Sequence, residues 1–328
     1  MIHTRTTQIA VLVPCYNEEA SVASVVQAFQ AAIPEGRVYV YDNRSTDRTA
    51  EFAAAAGATV RHSPEKGKGN VIRQMFADVD AGVYVLVDGD ATYDAGSVME
   101  MTRMLLDRGL DMVVGCRTEH GSRHGMVYRP GHRFGNWMLT SGVRWIFGGS
   151  FQDMLSGYRV FIRRFVKSFP ALSKGFEIET ELTVHALELR MPWAELATPY
   201  AARPEGSVSK LSTFGDGYRI LRTIFRLFVS ERPMSFYGLC AALMALAALA
   251  LAAPVLATYL QTGLVPRFPT ALLSASLMIC ALASVACGLI LDNVARGRQE
   301  MKRLAYLAVP QSGSLRPHLG KTRDFING

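Results

Sequence analysis

Polar and acidic side chains follow four short apolar runs in the N-terminal part of the chain. The runs are residues 9–13, 37–41, 83–87 and 112–116. The residues that come after them are Pro14, Tyr16, Asn17, Glu18 and Glu19, then Asp42, Asn43, Ser45 and Asp47, then Asp88, Gly89, Asp90 and Thr92, and finally Arg117. Carboxylates that converge repel one another, and a bound Mg²⁺ or Mn²⁺, which commonly arrives with substrate phosphates, relieves that repulsion. The pattern predicts a metal–nucleotide site.

Each of these signals is weak alone and has a purely structural interpretation. An isolated Asp-x-Asp is most often a solvated turn, and residues 42–45 could form a plain turn in which Asp47 caps the next helix. Glu18 and Glu19 would favour a helix N-terminus through its dipole. The joint placement after successive strands favours the metal–nucleotide site over coincidence.

The apolar runs alternate with segments of helical spacing, and this alternation decides where the polar residues lie. Helices are predicted at residues 21–32, 47–56, 69–78 and 96–108, with a further short strand at 59–61. Such alternation predicts a parallel α/β sheet with helices on both faces. Ligands of these sheets bind beyond the carboxyl ends of the strands, where the polar residues stand.

Other motifs of nucleotide-binding and hydrolytic proteins are absent from the sequence. Residues 66–70 combine glycine with positive charge but lack the Walker spacing, and no G-x-G-x-x-G follows the first apolar run. The HExxH and G-x-S-x-G patterns are also missing. The sequence therefore disfavours a P-loop protein, a dinucleotide-binding fold, a zinc protease and an α/β-hydrolase.

The C-terminal third contains two long segments without a charged residue, 233–266 and 268–291. About 20 apolar residues span a bilayer as a helix, so both segments are predicted to be membrane helices joined by a short turn. The alternative, two core helices of a soluble bundle, is disfavoured because neither segment has a polar face. Pro254 is expected to kink or end the first helix.

Basic residues flank this hairpin and predict its orientation. They are Arg219, Arg222, Arg226 and Arg232 before it and Arg296, Arg298, Lys302 and Arg303 after it, with only Arg267 in the turn. The positive-inside bias predicts that both termini are cytoplasmic, in a multi-pass protein of the cytoplasmic (inner) membrane.

A basic amphipathic helix is predicted at residues 218–229, just before the hairpin. At about 100° per residue, Arg219, Arg222 and Arg226 fall within roughly 60° of one another. The apolar residues on the other side are Ile220, Leu221, Ile224, Phe225, Leu227 and Phe228. This pattern favours a helix on a membrane surface over one packed on the soluble domain with a solvated arginine face.

The composition limits the remaining alternatives. Of the 328 residues, 49% are hydrophobic and 19% charged, and the formal net charge is +7. These values exclude disorder, a coiled coil and collagen, and the basic balance suits nucleic acid, anionic lipid or a phosphate-rich substrate. The five cysteines form no C-x-x-C pair, which argues against a disulfide framework or zinc site, and no signal peptide is recognised.

The order of these motifs resembles that of family 2 glycosyltransferases, whose GT-A fold is a Rossmann-like, mostly parallel α/β sheet domain. The resemblance lies in residues 13–19, 41–47, 88–90 and 115–117. Residues 153–159 and 203–211 resemble the D-x-x-S-G-[FY]-R and R-x-x-G-x-S-K segments of dolichol-phosphate mannose synthases and bacterial polyprenyl-phosphate glycosyltransferases. The two-helix hairpin matches the bacterial branch.

The resemblance implies roles for individual residues. The nucleotide-sugar pocket would be lined by Pro14, Tyr16, Glu18, Val40, Asp42 and Lys68, with Asp42 facing the base. Asp88 and Asp90 would hold Mg²⁺ or Mn²⁺ with the diphosphate. The diphosphate or the lipid phosphate would be met by Arg117, Arg133, Arg203 and Lys210. The chain departs from the family pattern at Tyr41, where relatives often carry an acid, and at Thr92, where they often carry Gln.

The implied reaction inverts the anomeric carbon of a nucleotide sugar as a lipid phosphate attacks it. Because a phosphate acceptor is already anionic, it needs little help from a general base. Asp153 would orient the acceptor, take a residual proton, or serve a structural role such as bonding Arg159. Contact of Glu177, Glu179 or Glu181 with the sugar is left open. The catalytic candidates are thus Asp88, Asp90, Asp153 and Arg117.

We therefore expect an inverting hexosyltransferase that moves one sugar from a UDP- or GDP-linked donor to polyprenyl or dolichyl phosphate, with no nucleic-acid partner. A processive polysaccharide synthase would carry Q-x-x-R-W and more membrane helices, whereas Ser141 stands where that Gln would precede Arg144-Trp145. A non-catalytic, membrane-bound nucleotide-sugar sensor would tolerate loss of Asp88 and Asp90, yet both are present. Homo-oligomer formation is left open.

Four regions are expected along the chain. Residues 1–210 would form the cytoplasmic GT-A domain and 211–232 the juxtamembrane amphipathic helix. Residues 233–292 would form the transmembrane hairpin and 293–328 a basic cytoplasmic tail.

Overall fold

The computed structural model describes residues 9–118, 132–204 and 213–310. The chain forms two compact units. One consists of Met1–Leu221 together with Lys302–Gly328, and the other of Arg222–Met301.

Strands and helices alternate along the first unit. They are β1 (Ile9–Cys15), α1 (Val22–Ala32), β2 (Arg37–Asp42), α2 (Thr49–Ala55), β3 (Thr59–His62), α3 (Lys68–Asp78), β4 (Val83–Leu86), α4 (Val98–Asp107), β5 (Met112–Thr118), α5 (His132–Phe147), β6 (Arg159–Ile162), α6 (Arg163–Ser168), α7 (Ile178–Glu188) and β7 (Trp193–Pro199). A 3-10 turn, Ala95–Ser97, precedes α4. Every element predicted up to β5 is present, with ends that differ by at most two residues from the expectation.

The strands form one sheet in the order β3-β2-β1-β4-β6-β5-β7. Neighbouring strands are parallel except at β6, which runs antiparallel to both β4 and β5. The predicted mostly parallel α/β sheet is confirmed, and β6 is the exception to the parallel order.

Helices cover both faces of the sheet, and the strand side chains alternate between two apolar cores. On one face Leu12, Tyr84 and Phe161 pack with residues of α3, α6 and α7. On the other face Val11 and Val85 pack with residues of α1 and α4. Because both faces are buried, the central strands are apolar at successive positions, which is the pattern that revealed them in the sequence.

The last turns of α10 (Phe268–Ala308) belong to the first unit. Lys302 Nζ lies 2.9 Å from Oε2 of Glu188 at the end of α7. One turn later, the Tyr306 hydroxyl lies 3.1 and 2.9 Å from the two oxygens of buried Asp111, to which it donates. The Arg164 guanidinium lies over the Tyr306 ring at 4.9 Å. These contacts attach residues 302–308 to the α/β domain.

Two long apolar helices dominate the second unit. α9 (Pro233–Thr262) ends at Gly263, which adopts a φ of 68°, and α10 begins at Phe268. Both are long and apolar enough to cross a membrane, by length and composition. Pro254 lies inside α9, so it does not end the helix.

Small residues line the packing between α9 and α10. The buried residues of α10 recur every seventh position, at Ser274, Ala281, Gly288 and Ala295. The Ser274 hydroxyl donates to the Ala248 carbonyl at 2.9 Å, and the Ser284 hydroxyl to that of Tyr237 at 3.0 Å. A seven-residue spacing keeps one helix face against its partner, and small side chains let the two backbones approach.

α8 (Thr213–Glu231) occupies the segment predicted as a basic amphipathic helix. The three arginines of the predicted stripe are exposed. The apolar side of the helix divides, because Ile220 and Ile224 are buried whereas Tyr218, Leu221 and Phe225 are exposed. Exposed aromatic and aliphatic side chains beside arginines are typical of a helix at a membrane surface.

Candidate active site

The carboxyl ends of β1, β2 and β4 bring the predicted acids to one edge of the sheet. β1 lies between the other two strands, with Cys15 paired to Asp42 of β2 and Leu12 paired to Leu86 of β4. Burial raises the pKa of the Cys15 thiol, and the carboxylates of Glu18, Asp42, Asp88 and Asp90 raise it further. All four acids therefore lie close enough to act on one buried thiol.

The turn after β4 has the shape that its residue types require. A Cβ at Gly89 would lie 2.5 Å from the Cys15 sulfur, so only glycine fits between the two aspartates. Ala91 adopts a φ of 56°, which is unfavourable for a residue other than glycine. The Thr92 hydroxyl and N–H donate to Asp90 Oδ1 at 2.6 and 3.2 Å. The turn therefore holds the Asp90 carboxylate in one position.

Asp90 is buried and paired with Arg203. One guanidinium nitrogen lies 2.6 Å from Asp90 Oδ2, and the other lies 3.9 Å from Glu18 Oε1. Burial and the neighbouring Asp88 raise the pKa of Asp90, while Arg203 opposes the rise. Arg203 therefore stands between two acids of the site.

Asp88 is paired with Lys68 at the start of α3. Lys68 Nζ lies 2.5 Å from both Asp88 Oδ1 and Glu179 Oε1. Burial alone would lower the pKa of Lys68, but the two carboxylates outweigh it and raise the pKa above its ordinary value. A Cβ at Gly157 would come within 2.6 Å of Asp88 Oδ2. A lysine on one side and a bare glycine on the other therefore fix the position of Asp88.

Acids outnumber bases in this cluster. The acids Glu18, Asp88, Asp90 and Glu179 are accompanied by the bases Lys68 and Arg203. Within the described ranges, no three His, Cys, Asp or Glu side chains converge as a complete metal site. Mg²⁺ commonly takes only one or two protein carboxylates and completes its ligands with water and substrate phosphates. Asp88 and Asp90 fit that pattern, since both are carboxylates in an acidic cluster.

Asp42, at the end of β2, is buried beside an exposed histidine. Its Oδ2 lies 3.2 Å from His62 Nδ1, and its Oδ1 accepts the Ser45 N–H at 3.2 Å. Val40 is fully buried in the core two residues earlier. Val40 thus packs beneath the edge of the site, and its contact with a nucleotide stays a prediction.

The loops after β1 and β2 are bonded to each other. The Asn17 N–H donates to the Ser45 hydroxyl at 2.9 Å, and Asn17 Oδ1 accepts the Thr46 N–H at 2.8 Å. Tyr16 packs against Lys66, whose Nζ lies 4.7 Å from the ring centroid. Pro14 is half-buried within β1. These bonds set the positions of the side chains on either side of Asn17.

A bidentate ion pair lies at the end of β5. Arg117 Nε and Nη2 each lie 2.7 Å from an oxygen of Asp153. The N–H groups of Gln152 and Asp153 donate to Glu195 on β7 at 2.8 and 3.2 Å, which fixes the loop that carries Asp153. Asp153 therefore holds Arg117, whereas Arg159 donates hydrogen bonds to Met154, Ser156 and Thr183.

Arg159 is fully buried and holds the turn before it. Its guanidinium donates to the carbonyls of Met154 and Ser156, at 2.5 and 3.0 Å, and to the Thr183 hydroxyl at 3.0 Å. These bonds shape the segment that carries Asp153 and also Gly157. The arginine of the D-x-x-S-G-Y-R segment therefore stabilises the backbone conformation of that same segment.

The three alternating glutamates near the start of α7 have different partners. Glu177 and Glu181 accept hydrogen bonds from backbone N–H groups of residues 172–175. Of the three, only Glu179 is bonded to Lys68. Burial raises the pKa of Glu179, and Lys68 opposes the rise. Two of the glutamates are therefore structural, and Glu179 belongs to the acidic cluster.

Two residues predicted to bind phosphate are not placed. Lys210 lies outside the described residues, and Arg133 lies on α5 without a description of its side chain. Sequence reasoning missed Glu195, which acts on the backbone and belongs to no motif. It also missed the pairing of Lys68 with Glu179, for which the alternating glutamates were the only signal.

Comparison with known proteins gives a matching family and several curated relatives. Residues 10–167 match the family described as Glycosyl transferase family 2. Glycosyltransferase AglJ of Haloferax volcanii is 35% identical over 235 residues, which cover 70% of this chain and 75% of that protein. Dolichyl-phosphate hexose transferase of the same organism is 27% identical over 225 residues, which cover 68% of this chain and 95% of that protein.

A solved structure has a similar fold. It is glucosyl-3-phosphoglycerate synthase from Mycobacterium tuberculosis in complex with Mn²⁺, UDP-glucose and phosphoglyceric acid. The TM-score is 0.55 and the identity 20%, over 68% of this chain and 80% of that chain. At this identity the likeness shows the fold alone, and it agrees with the predicted GT-A-like sheet.

Proposed function

Because the chain belongs to glycosyltransferase family 2, we propose that it moves a single sugar from a nucleotide sugar to a polyprenyl or dolichyl phosphate in a membrane. One observation carries the proposal. The same chain combines an acid-rich site at the carboxyl edge of the sheet with two helices long and apolar enough to cross a bilayer. The relative named dolichyl-phosphate hexose transferase supports the choice of acceptor.

The donor is proposed to be a UDP- or GDP-linked hexose. Asp42 would accept a hydrogen bond from the base, with Pro14, Tyr16, Glu18, Val40 and Lys68 around the nucleotide sugar. The buried Asp42 carboxylate already accepts one backbone N–H, which would keep it oriented toward the base. A synthase of the same fold was solved with UDP-glucose, and a nucleotide hexose of this kind is the donor proposed here.

Asp88 and Asp90 would hold Mg²⁺ or Mn²⁺ together with the diphosphate. The bound ion would stabilise the negative charge that the leaving diphosphate gains. Lys68 and Arg203 are paired with these same carboxylates, at 2.5 and 2.6 Å. Both cations would also lie near that developing charge, where fixed positive groups are most effective.

The proposed reaction needs no strong general base. A phosphate oxygen of the acceptor attacks the anomeric carbon while the bond from that carbon to the diphosphate breaks, so the configuration inverts. A phosphate monoester has its second pKa near 6 and is largely dianionic at neutral pH. We therefore assign Asp153, bonded through both oxygens to Arg117, to orienting that arginine toward the acceptor. Arg133 and Lys210 would assist.

The acceptor lipid requires an active site at the membrane surface. The exposed arginines of α8, together with the exposed Tyr218, Leu221 and Phe225, support the proposal that this helix lies on the bilayer. The basic residues that flank the hairpin support an orientation with both ends and the catalytic domain in the cytoplasm.

Transfer of a radiolabelled sugar tests this function. The purified protein in liposomes that contain polyprenyl phosphate is given a panel of UDP- and GDP-linked hexoses with Mg²⁺ or Mn²⁺. We expect label in an organic-extractable lipid that carries one sugar. Label in a polymer would identify a processive polysaccharide synthase. Nucleotide-sugar binding without transfer to any lipid would identify a non-catalytic membrane sensor.

A further inference from the structure

A buried carboxylate oxygen in the active-site cluster has no hydrogen-bond partner among the described residues. Glu179 Oε1 lies 2.5 Å from Lys68 Nζ, whereas Glu179 Oε2 is buried and accepts no hydrogen bond there. The side chain is 4% exposed. A buried acceptor without a donor is costly, so an unsatisfied oxygen in a native protein needs an explanation.

The helix does not require Glu179 at this position. Glu177 and Glu181, on either side of it, bond the backbone N–H groups of residues 172–175. The turn that leads into α7 is therefore held without Glu179. The side chain of Glu179 is directed instead to Lys68, which joins it to Asp88.

The orphan oxygen needs a donor, and the parts of a nucleotide sugar differ in what they offer. A diphosphate presents only acceptors. The base is assigned to Asp42, on β2, which is separated from β4 and Asp88 by β1. The metal ion is already assigned to Asp88 and Asp90, which have Lys68 and Arg203 as their neighbours. The hydroxyl groups of the sugar remain, and each can donate a hydrogen bond.

We propose that Glu179 reads the transferred sugar, with its unpartnered oxygen accepting a hydrogen bond from one hydroxyl of the hexose. Glu179 is then a specificity-determining residue of the donor pocket. This inference rests on the proposed function, because it needs a nucleotide sugar as the donor. The hydroxyl reaches the shielded oxygen after a neighbouring side chain shifts, and Lys68 has the long flexible stem that permits such a shift.

The buried oxygen of Glu179 would let the site discriminate between sugars that do and do not carry the matching hydroxyl. A site that hydrogen-bonds a substrate hydroxyl rejects the analogue that lacks it, because the buried acceptor then stays unpaired. A hydrogen bond to a carboxylate is roughly twice as strong as one between neutral groups. Replacing Glu179 with glutamine keeps the shape but removes this charge.

The test compares matched donors by calorimetry in the presence of Mn²⁺. The full-length protein, Glu179→Gln and Glu179→Ala are titrated with the nucleoside diphosphate, the nucleotide hexose and a series of its monodeoxy analogues. Glu181→Gln is the control, since Glu181 is also a buried glutamate of α7 but bonds the backbone of residues 172 and 173 and not Lys68. We expect both Glu179 variants to bind the nucleotide hexose about tenfold or more weakly and the nucleoside diphosphate almost unchanged. For one deoxy analogue, the one that lacks the bonded hydroxyl, the Glu179 variants and the parent protein should bind with the same affinity.

Two results would overturn the inference. One is an equal loss of affinity for the nucleoside diphosphate and the nucleotide hexose, which would reduce Glu179 to a support for Lys68. The other is a loss that persists with every deoxy donor. If the Glu179 variants do not fold, the parent protein alone tests the inference. The inference is then refuted if none of the deoxy donors binds the parent about tenfold more weakly than the nucleotide hexose does. If the parent protein binds none of the nucleotide sugars, the proposed function is refuted instead.

Discussion

Each of the two acids after β4 has its own cation. Asp88 is bonded to Lys68 and Asp90 to Arg203, and both arrangements are supported by the backbone around them. Because Arg203 also approaches Glu18, removal of Asp90 would leave the guanidinium with another acid nearby. A substitution of Asp90 should therefore change the transfer rate more than it changes the stability of the fold.

We expect Asp90→Ala to lower the transfer rate roughly 100-fold or more, because the proposed metal ligand at the leaving diphosphate is lost. Steady-state transfer across a titration of Mg²⁺ and Mn²⁺ measures the effect, with circular dichroism as the check on folding. Asp94→Asn is the control, since the Asp94 side chain accepts hydrogen bonds from Ser97 of the following turn and the substitution should leave the rate nearly unchanged. Near-parental turnover by Asp90→Ala would remove it from the metal site.

Asp42→Ala should weaken nucleoside diphosphate binding about tenfold or more, because the site loses the buried group that is proposed to bond the base. The affinity for Mn²⁺ should change little, since Asp42 lies on β2, beyond β1 from the proposed metal ligands. Titration calorimetry measures both affinities. An unchanged nucleotide affinity would exclude Asp42 from the pocket.

At the scale of elements, α8 carries the arginine stripe and an exposed apolar face together. A long polyprenyl chain cannot leave the bilayer easily, at about 0.8 kcal/mol per exposed CH₂. The phosphate of the proposed acceptor would therefore be taken up at the headgroup layer. Each arginine near an anionic surface contributes on the order of 1 kcal/mol to attraction.

Replacing Arg219, Arg222 and Arg226 with glutamine should raise the KM for lipid phosphate and leave the KM for nucleotide sugar almost unchanged. Steady-state kinetics in liposomes measures both constants. The matched control removes the same charge from exposed positions of the α/β domain, Arg103, Arg108 and Arg190. Equal lipid KM values for the stripe variant and this control would mean that the stripe is only a solvated face.

The elements that could be predicted are those whose burial leaves a pattern in the sequence. β1 and β4 are buried on both faces and read as continuous apolar runs. β6 begins at Arg159, a charged residue that is buried, and β7 is half-exposed along most of its length and carries Glu195. Neither strand is therefore apolar along its whole length.

The same distinction holds for the site. Asp88 and Asp90 follow a recognisable strand, so their position at the sheet edge could be predicted. The ion pair of Lys68 with Glu179 joins α3 to α7, and the ion pair of Arg117 with Asp153 joins β5 to a loop distant in sequence. Such partners depend on how the elements pack, so the sequence shows at most the candidate residues, such as the alternating glutamates near the start of α7, and not which of them pair.

At the scale of the whole molecule, the end of the chain's last described helix completes the first domain. Asp111 is buried, and burial raises its pKa while the hydrogen bond from Tyr306 opposes the rise. A folded-state pKa above the unfolded value means that the ionised carboxylate destabilises the fold as the pH rises. Tyr306 reduces this penalty.

Tyr306→Phe should therefore destabilise the domain by about 1–3 kcal/mol at pH values above the raised pKa of Asp111, where the carboxylate is ionised and loses its donor. The loss should shrink as the pH falls through the raised pKa of Asp111, because a protonated carboxyl no longer needs that donor. Denaturant unfolding in detergent at several pH values measures this. Tyr218→Phe, at an exposed position on α8, should have no effect. A loss that does not vary with pH would contradict the assignment.

Cys15 lies among the acids of the site, and its surroundings decide how it reacts with oxidants and alkylating reagents. A cysteine reacts as its thiolate, which burial and four nearby carboxylates suppress by raising the pKa of Cys15. Burial likewise raises the pKa of Cys116. Cys15 should therefore resist oxidation although it lies beside the acids of the candidate active site. After iodoacetamide treatment, mass spectrometry should find Cys15 unmodified in the native protein and alkylated once the chain is unfolded.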